Sequence, residues 1–445
     1  MNEMEFLETS SELEKLINDY RKKNEQRNYF GEEKGKTLIP KVLAEHIMEE
    51  NHFIYDGNFL YRYELGVYRE VSDIVIRKRC IELLGNQFKK TYGDEVVHFI
   101  KLATYRKNEA ANASTTFINV KNGLLEWKIR KLHPHSPEYF STIQLPIEYN
   151  PEAVSTNVDT FIRTVVPEDT IPMIYEWFGY TMLPMTRYEK AVMLIGEGSN
   201  GKSKFIELLE YFIGTENISN IPLQDLEHNR FKLAQINGKL VNTFADIPAK
   251  ALEKSSIFKT IVSGDRTSAE FKGKDSFNFK PFARLMFSAN ELPRSADITN
   301  GFFRRWLIIP FDVKFGPGGI KADPYIMDKL TTAEELSGLL NYALEGLGRL
   351  EKQGQFSLNE TTNNMLEQYK LDIDNVATFV DEQCTISPEV KIEKKLLHSE
   401  YNNWCFKNGY KPITRTKFYS RISKEYQDGE RQHGQPRTFQ GITLD

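Results

Sequence analysis

The stretch "AVMLIGEGSNGKSKFIELLEYFI", residues 191–213, decides the fold. Ala191 to Ile195 is a short apolar run of strand type, and Lys204 to Ile213 spaces its apolar residues as a helix does. Between them "GEGSNGKS" fills the pattern G-x-x-x-x-G-K-[ST] with Gly196, Gly201, Lys202 and Ser203. Glycines let the backbone turn tightly and aim several N–H groups at an anion. Lys202 would then reach the outer phosphates, and the Ser203 hydroxyl would complete a magnesium shell. The candidate phosphate-holding set is Gly196, Gly198, Asn200, Gly201, Lys202, Ser203 and Lys204. An ordinary glycine-rich turn is the bland alternative, and the flanking strand and helix argue against it.

A phosphate cradle alone does no work. Hydrolysis also needs an acid at the end of a second buried strand to hold the magnesium shell, and a group to place the attacking water. "GKLVNTFADI" offers the strand Leu240 to Ala245, ending in Asp246. Asp246 is a candidate both for catalysis and for the metal. Two adjacent acids are usual there, and this chain has Ala245-Asp246, so one duty is unassigned. Asp225, Glu227, Glu253 and Asp265 are open candidates for it. A third strand, "ARLMFSAN", ends in Asn290, whose amide can orient water against a terminal phosphate; such strand tips are where open α/β sheets bind ligands. "GFFRRWLIIPF" then sets Arg304 and Arg305 among aromatics. The fit is to an arginine finger reaching a neighbouring subunit's site, with Arg304 preferred.

Between Asp246 and Asn290, Lys272, Lys274 and Lys280 interleave with Phe271, Phe277 and Phe279 around Gly273. This suggests a hairpin presenting lysine and aromatics, able to line a channel and follow a nucleic-acid backbone without reading sequence. A solvated hairpin is the alternative.

Outward from this centre, 445 residues suggest two to four domains. The net charge of −4 rules out a polycation, so any nucleic-acid surface must come from local clustering or from a ring of subunits. Cys80, Cys384 and Cys405 show no metal spacing and fit a reducing compartment. No apolar run is long enough for a membrane span, and the cytoplasm is the expected location. Residues 1–50 read as a polar helical lead-in, 51–150 as a mixed α+β region, 151–312 as a parallel-sheet α/β core, 313–371 as a helical lid with a linker at "KQGQFSLNETTNN", and 372–445 as a last domain. Within the second region, "NFLYRYELGVYRE" reads as a hairpin turning at Gly66. "DIVIRKRCIELLGNQFKKTYG" reads as one amphipathic helix whose Arg77, Lys78, Arg79, Lys89 and Lys90 form a solvated face or, less readily, a nucleic-acid contact.

The set "GEGSNGKS", "LVNTFAD", "KTIVSGDRTSAEFK", "LMFSAN" and "GFFRRW" resembles the superfamily 3 helicase domain of phage and plasmid primase-helicases of P4-type or poxvirus D5-like kind. "FINVKNGLLEWKIRKLHPHSPEYF" and "QLPIEYNPEA" also look like the region preceding those ATPases. The resemblance implies an AAA+-like P-loop core, ATP and Mg2+ as cofactors, a homo-hexameric ring, and translocation on single-stranded and forked DNA, with a separate primase or initiator as a possible partner. By motif it carries Lys202 and Ser203 to Walker A, Asp246 to the terminal Walker B acid, and Asn290 to sensor 1. Lys259, Gly264 and Asp265 fall in the motif after Walker B, Lys272 and Lys274 in the DNA-tracking hairpin, and Arg304 or Arg305 at the arginine finger. The missing second acid departs from the pattern.

The tail "KNGYKPITRTKFYSRISK", residues 407–424, has six basic residues and no acidic ones. Thr414 is placed to cap a helix with Phe418 and Ile422 facing a core and Lys417, Arg421 and Lys424 turned elsewhere, which suits a recognition helix of winged-helix type with "DGERQHGQPRTFQGI" as wing. The leading expectation is a replicative DNA helicase. The opposing one is an initiator or loader whose ATPase drives assembly or origin melting. A ring factor without hydrolysis is a third, kept open by the single acid at Asp246.

Overall fold

A computed structural model describes residues 27–31, 37–106, 111–247, 252, 254–293, 295, 297–410, 412–429 and 435–445. Most of the expected lead-in, Glu253, and residues 430–434 of the expected wing lie outside them. The chain forms two compact units, one of residues 1–113 with 135–142, the other of 114–134 with 143–445.

In the first unit, α1 (Pro40–Glu50) starts on a proline, whose missing N–H costs nothing in a first turn. It is followed by a three-stranded antiparallel sheet of β1 (Phe53–Tyr55), β2 (Leu60–Glu64) and β3 (Val67–Val71). The β2–β3 hairpin pairs Glu64 with Val67, and both turn residues, Leu65 and Gly66, have positive φ, as a two-residue turn of this hand requires. The next stretch differs from its reading as one helix. It is two, α2 (Ile74–Leu84) and α3 (Lys90–Ala103), because Gly85 takes φ 51° and ends the first. Two members of its basic cluster are paired within the unit, Arg77 to Asp94 and Arg79 to Glu50 and Glu82.

The second unit opens with the antiparallel strands β4 (Phe117–Val120), β5 (Gly123–Glu126) and β6 (Lys131–His133). The helices α4 (Thr156–Val165) and α5 (Ile171–Thr181) follow. Then come β7 (Ala191–Ile195), α6 (Lys202–Ile213), β8 (Ile218–Ser219), α7 (Leu223–His228), α8 (Arg230–Leu233) and β9 (Val241–Phe244). The chain continues through α9 (Ser256–Ser263), β10 (Thr267–Glu270), β11 (Ser276–Phe279), β12 (Arg284–Ala289), α10 (Asn300–Phe303) and β13 (Trp306–Pro310). The result is a mixed α/β architecture around a five-stranded parallel sheet ordered β13-β7-β12-β9-β8. β12 and β13 are buried throughout, as expected where helices cover both faces of a parallel sheet. On α6, Phe205, Leu208, Leu209 and Phe212 recur at helical spacing and are fully buried.

The helices α11 (Ile326–Leu330) and α12 (Ala333–Gln353) come next. Thr332 caps α12 by accepting from the Glu335 N–H at 3.2 Å, and its leucines 336, 339, 340, 344, 347 and 350 all enter the core. Each such leucine contributes about 2 kcal/mol of burial. Glu335 reaches back to accept from Ser155 and from the first N–H groups of α4, so the two helices are stitched by a buried carboxylate. The stretch after α12 is not the expected linker. Phe356 is buried against Trp177, Tyr180 and Tyr188, and Asn359 caps α13 (Glu360–Ile373). Tyr369 of α13 packs on Phe302 and Phe303 and donates to the Pro293 carbonyl at 2.7 Å. The last segment holds α14 (Asn375–Gln383), β14 (Cys384–Glu393), α15 (Lys394–Lys407), α16 (Arg415–Ile422), β15 (Gln427–Asp428) and β16 (Thr438–Leu444), with a separate core that includes Phe379, Leu397, Tyr401, Phe418, Ile422 and Phe439. Among the described residues no helix is long and apolar enough to cross a membrane.

Candidate functional site

The site is built at the carboxyl edge of the parallel sheet. As β7 ends, Gly196 passes so close to the Phe311 carbonyl and the Asn200 amide that a Cβ would collide with both. Gly201 takes φ 95° and caps α6, a backbone conformation that disfavours any side chain. Asn200 is buried and its amide donates to the Phe311 carbonyl at 2.8 Å, tying the turn to the exit of β13. Gly198, Ser203 and Lys204 are exposed around it, and Lys204 pairs with Glu207.

Lys202 is only 4% exposed, and its ammonium donates to the Gly196 and Glu197 carbonyls and to Asn200 Oδ1. All three acceptors are uncharged. Burial lowers the pKa of the Lys202 amine from the ordinary lysine value, and the Asp246 carboxylate opposes that fall. A buried cation held by neutral oxygens at a helix start fits the phosphates of a nucleotide.

The strand order explains why residues far apart in sequence meet here. β12 lies between β7 and β9, with Ala289 paired to Ile195 and Phe287 paired to Phe244. The Gly196 N–H contacts the Ala289 carbonyl at 3.4 Å, and the Asp246 N–H donates to Ser288 Oγ at 3.1 Å. Asn290, the next residue of β12, and Asp246 are both exposed at this edge. Asp246 has φ 53°, unusual for a residue with a side chain, although Asp and Asn tolerate it best.

The candidate second acids divide. Glu227 accepts from the Phe258 N–H at 2.7 Å and so caps α9. Asp265 follows α9 within electrostatic reach of Arg305, away from the glycine turn. Asp225 is half-buried in the first turn of α7. Sequence reading missed Asp297, which accepts from Lys259 at 2.7 Å and also from Ser255 and Thr299. Burial pushes its carboxyl up, but these hydrogen bonds outweigh burial and hold it well below the usual carboxylate range. Nothing in the spacing of Lys259 and Asp297, 38 residues apart, announced that pair.

Arg304 and Arg305 stand at the opposite, amino edge, just before Trp306, which pairs with Ala191 at the entry of β7. Five strand residues, roughly 16 Å, separate them from the glycine turn of the same chain. The two arginines differ. Arg305 is buried and donates to the Gly301 carbonyl and to Ser263 Oγ, whereas the Arg304 side chain is 51% exposed and pairs with Glu189 at 2.6 Å.

β10 and β11 form the hairpin, with Phe271 stacked on Phe277 at 5.0 Å and Lys272, Gly273 and Lys274 exposed at its tip. Lys280 is exposed at its base and does not join the tip lysines. In the last segment, Thr414 takes the N-cap position of α16 without a side-chain hydrogen bond, and Phe418 and Ile422 are buried. Lys417 and Lys424 are exposed. Arg421 is not available in the same way, since its guanidinium is held by Asp374 at 2.8 Å and by Glu425.

Residues 77–167 match the family described as D5 N terminal like, and residues 371–439 match the family described as poxvirus D5 protein-like. Two separate segments of the chain are thus similar to D5-like families. Residues 194–305, which hold the glycine turn, Asp246, Asn290 and both arginines, match a family of unknown function, DUF5906. A relative in Acanthamoeba polyphaga mimivirus, named "Putative helicase L207/L206", is 28% identical over 294 residues, which are 63% of this chain and 30% of that protein. The chain therefore spans about a third of the length of that relative. Among solved structures, an apo structure of the C-terminal region, residues 305–718, of NrS-1 covers 91% of this chain and all of its own, with a TM-score of 0.55 at 13% identity. A second apo structure of that region gives a TM-score of 0.53 at 12% identity. At such identity the likeness speaks for the fold alone.

Proposed function

We propose that this chain is an ATP-dependent replicative DNA helicase of a phage or mobile element, working as a ring, with ATP and Mg2+ as cofactors. One observation carries the reading: the parallel sheet brings the Gly196–Ser203 turn, Asn290 and Asp246 to one edge and leaves Arg304 exposed at the other. In an AAA+-like P-loop core, this division makes each site incomplete until a neighbour's arginine enters it. Lys202 and the turn's N–H groups would hold the phosphates, Ser203 and Asp246 would hold the metal, and Asn290 would place the attacking water. A metal held there would supply positive charge against the phosphate oxygens. Arg304 would reach the neighbouring site, while Arg305 fixes the turn that presents it.

Lys272 and Lys274 at the hairpin tip would track the DNA backbone, with Lys280 adding charge at the base. Residues 372–445 would form a winged-helix-like module with Lys417 and Lys424 facing DNA, Arg421 joining only if it leaves Asp374. The division into 1–50, 51–150, 151–312, 313–371 and 372–445 stands as part of this proposal. The basic surface of α16 favours a second reading, an initiator or loader whose ATPase drives assembly or origin melting.

The test is strand displacement on forked DNA together with ATP turnover with and without single-stranded DNA. Lys202→Ala should abolish both activities. Lys272→Ala with Lys274→Ala should keep basal turnover and lose its stimulation. Turnover in assembled protein that ignores DNA would sink the helicase reading, and site-specific duplex binding without displacement would favour the initiator.

A further inference from the structure

The polar groups around the glycine turn lie on one side of it. Asn290 and Asp246 belong to β12 and to the end of β9, both on the same flank of β7. The other flank is β13, and the chain beyond β13 is tightly folded. The Phe315 N–H donates to the Ser199 carbonyl at 2.8 Å, and residues 314–320 close on themselves through the Gly316 N–H to the Ile320 carbonyl and the Ile320 N–H to the Lys314 carbonyl, both at 2.9 Å. This holds the Phe315 ring against the start of α6. A Cβ built on Gly201 would lie 3.6 Å from Phe315 Cε2 and 2.9 Å from Val165 Cγ1. Phe315 is half-buried, so one part of its ring packs on the core and another remains open.

A nucleoside triphosphate has a charged end and an aromatic end. If its terminal phosphate faces Asn290 and Asp246, its base must leave the turn away from them. The group that borders the turn beyond β13 is the half-buried Phe315, which suits the face of a base and not a charge, with the buried Val165 beneath Gly201 beside it. We infer that Phe315 is the base-stacking residue of this site, backed by the core to which the buried Val165 belongs. This rests on the nucleotide reading of the glycine turn. Stacking engages the face of the ring and not its edge, so Phe315 confers preference for a nucleotide over a bare polyphosphate and not for one purine over another.

Binding of ATP, GTP and inorganic tripolyphosphate to the full chain tests this by calorimetry. Phe315→Ala should weaken ATP and GTP about tenfold each and leave tripolyphosphate unchanged, while Phe315→Trp should restore both nucleotides. Equal loss of nucleotide and tripolyphosphate in Phe315→Ala would make the ring a prop for the turn and overturn the inference. So would no loss of either. Lys202→Ala separates the two levels, because it should lose nucleotides and tripolyphosphate together. If it retains all three, the turn is not a phosphate site and the role of Phe315 falls with it.

Discussion

Glu189 accepts from Arg304 at 2.6 Å across the amino edge of the sheet, and the neighbouring Lys190 donates to the Arg304 carbonyl. The same carboxylate lies 3.2 Å from Arg305, so two residues at the entry of β7 hold both arginines. The exposed pair contributes little stability, because solvent screens it. Arg305 is another matter, since removing it leaves the Ser263 hydroxyl and the Gly301 carbonyl without their donor. Arg304→Ala should therefore lose ATP turnover with melting changed by less than about 1 kcal/mol, whereas Arg305→Ala should destabilise the fold by about 2 kcal/mol. Turnover and thermal denaturation of both variants check this. Normal turnover in Arg304→Ala would remove it from the proposed role.

Asp246 combines a carboxylate proposed to hold the metal with a left-handed backbone. Asp246→Asn keeps a side chain that tolerates φ 53° and should leave stability almost unchanged. Asp246→Ala should cost about 1 kcal/mol. Both should retain nucleotide binding and lose magnesium-dependent hydrolysis. Denaturant titration beside a turnover assay separates the backbone effect from the chemical one. Equal stability of the two variants would count against strain at this position.

Lys202 sets a pH dependence. Burial lowers its pKa below the ordinary lysine value, so its ammonium loses its proton at a lower pH than a surface lysine would. Phosphate binding needs the charged form. Affinity for ATP should accordingly fall as pH rises through that lowered value, and be complete below it. Lys202→Arg, whose guanidinium stays charged, should bind more weakly at neutral pH because of its shape but show no such fall. Binding isotherms across the alkaline range decide it, and an identical fall in both proteins would place the titrating group elsewhere.

Arg421 and Lys417 lie on the same helix and should respond differently. Arg421 joins α16 to Asp374, the residue that caps α14 through the Val376 and Ala377 N–H groups. Arg421→Ala should destabilise the last segment by about 2 kcal/mol, seen as faster amide exchange in α14. Lys417→Ala should leave exchange unchanged and weaken duplex binding, with a shallower salt dependence by about one phosphate contact.

How much of this was legible depends on how local each signal was. The glycine turn, Asp246 and Asn290 could be read because each ends a short apolar run, and a strand tip is a local feature. Phe418 and Ile422 followed from a four-residue spacing. The adjacency of the three tips was not local. It required β12 to enter between β7 and β9, an order set by packing and not by any one segment. The anchoring of Arg305 was hidden for the same reason, since its partner Ser263 lies 42 residues away. Two local readings gave way to cap chemistry. Gly85 divided an expected helix, and Asn359 started a helix inside an expected linker once Phe356 had found an aromatic pocket. Lys280 shares the pattern of the tip lysines but sits at the other end of a short hairpin, which composition alone does not show.

β7 is bonded to a strand on each side, to β13 along its whole length and to β12 from Val192 to Ile195. A strand held on both sides can exchange its amides only when the sheet itself comes apart. The turn after β7 is therefore rooted in the part of this unit that opens last. Heat, denaturant or a pulling force should release the outer helices and the last segment while residues 191–195 still resist solvent deuterium, and the glycine turn should fail with the sheet and not before it.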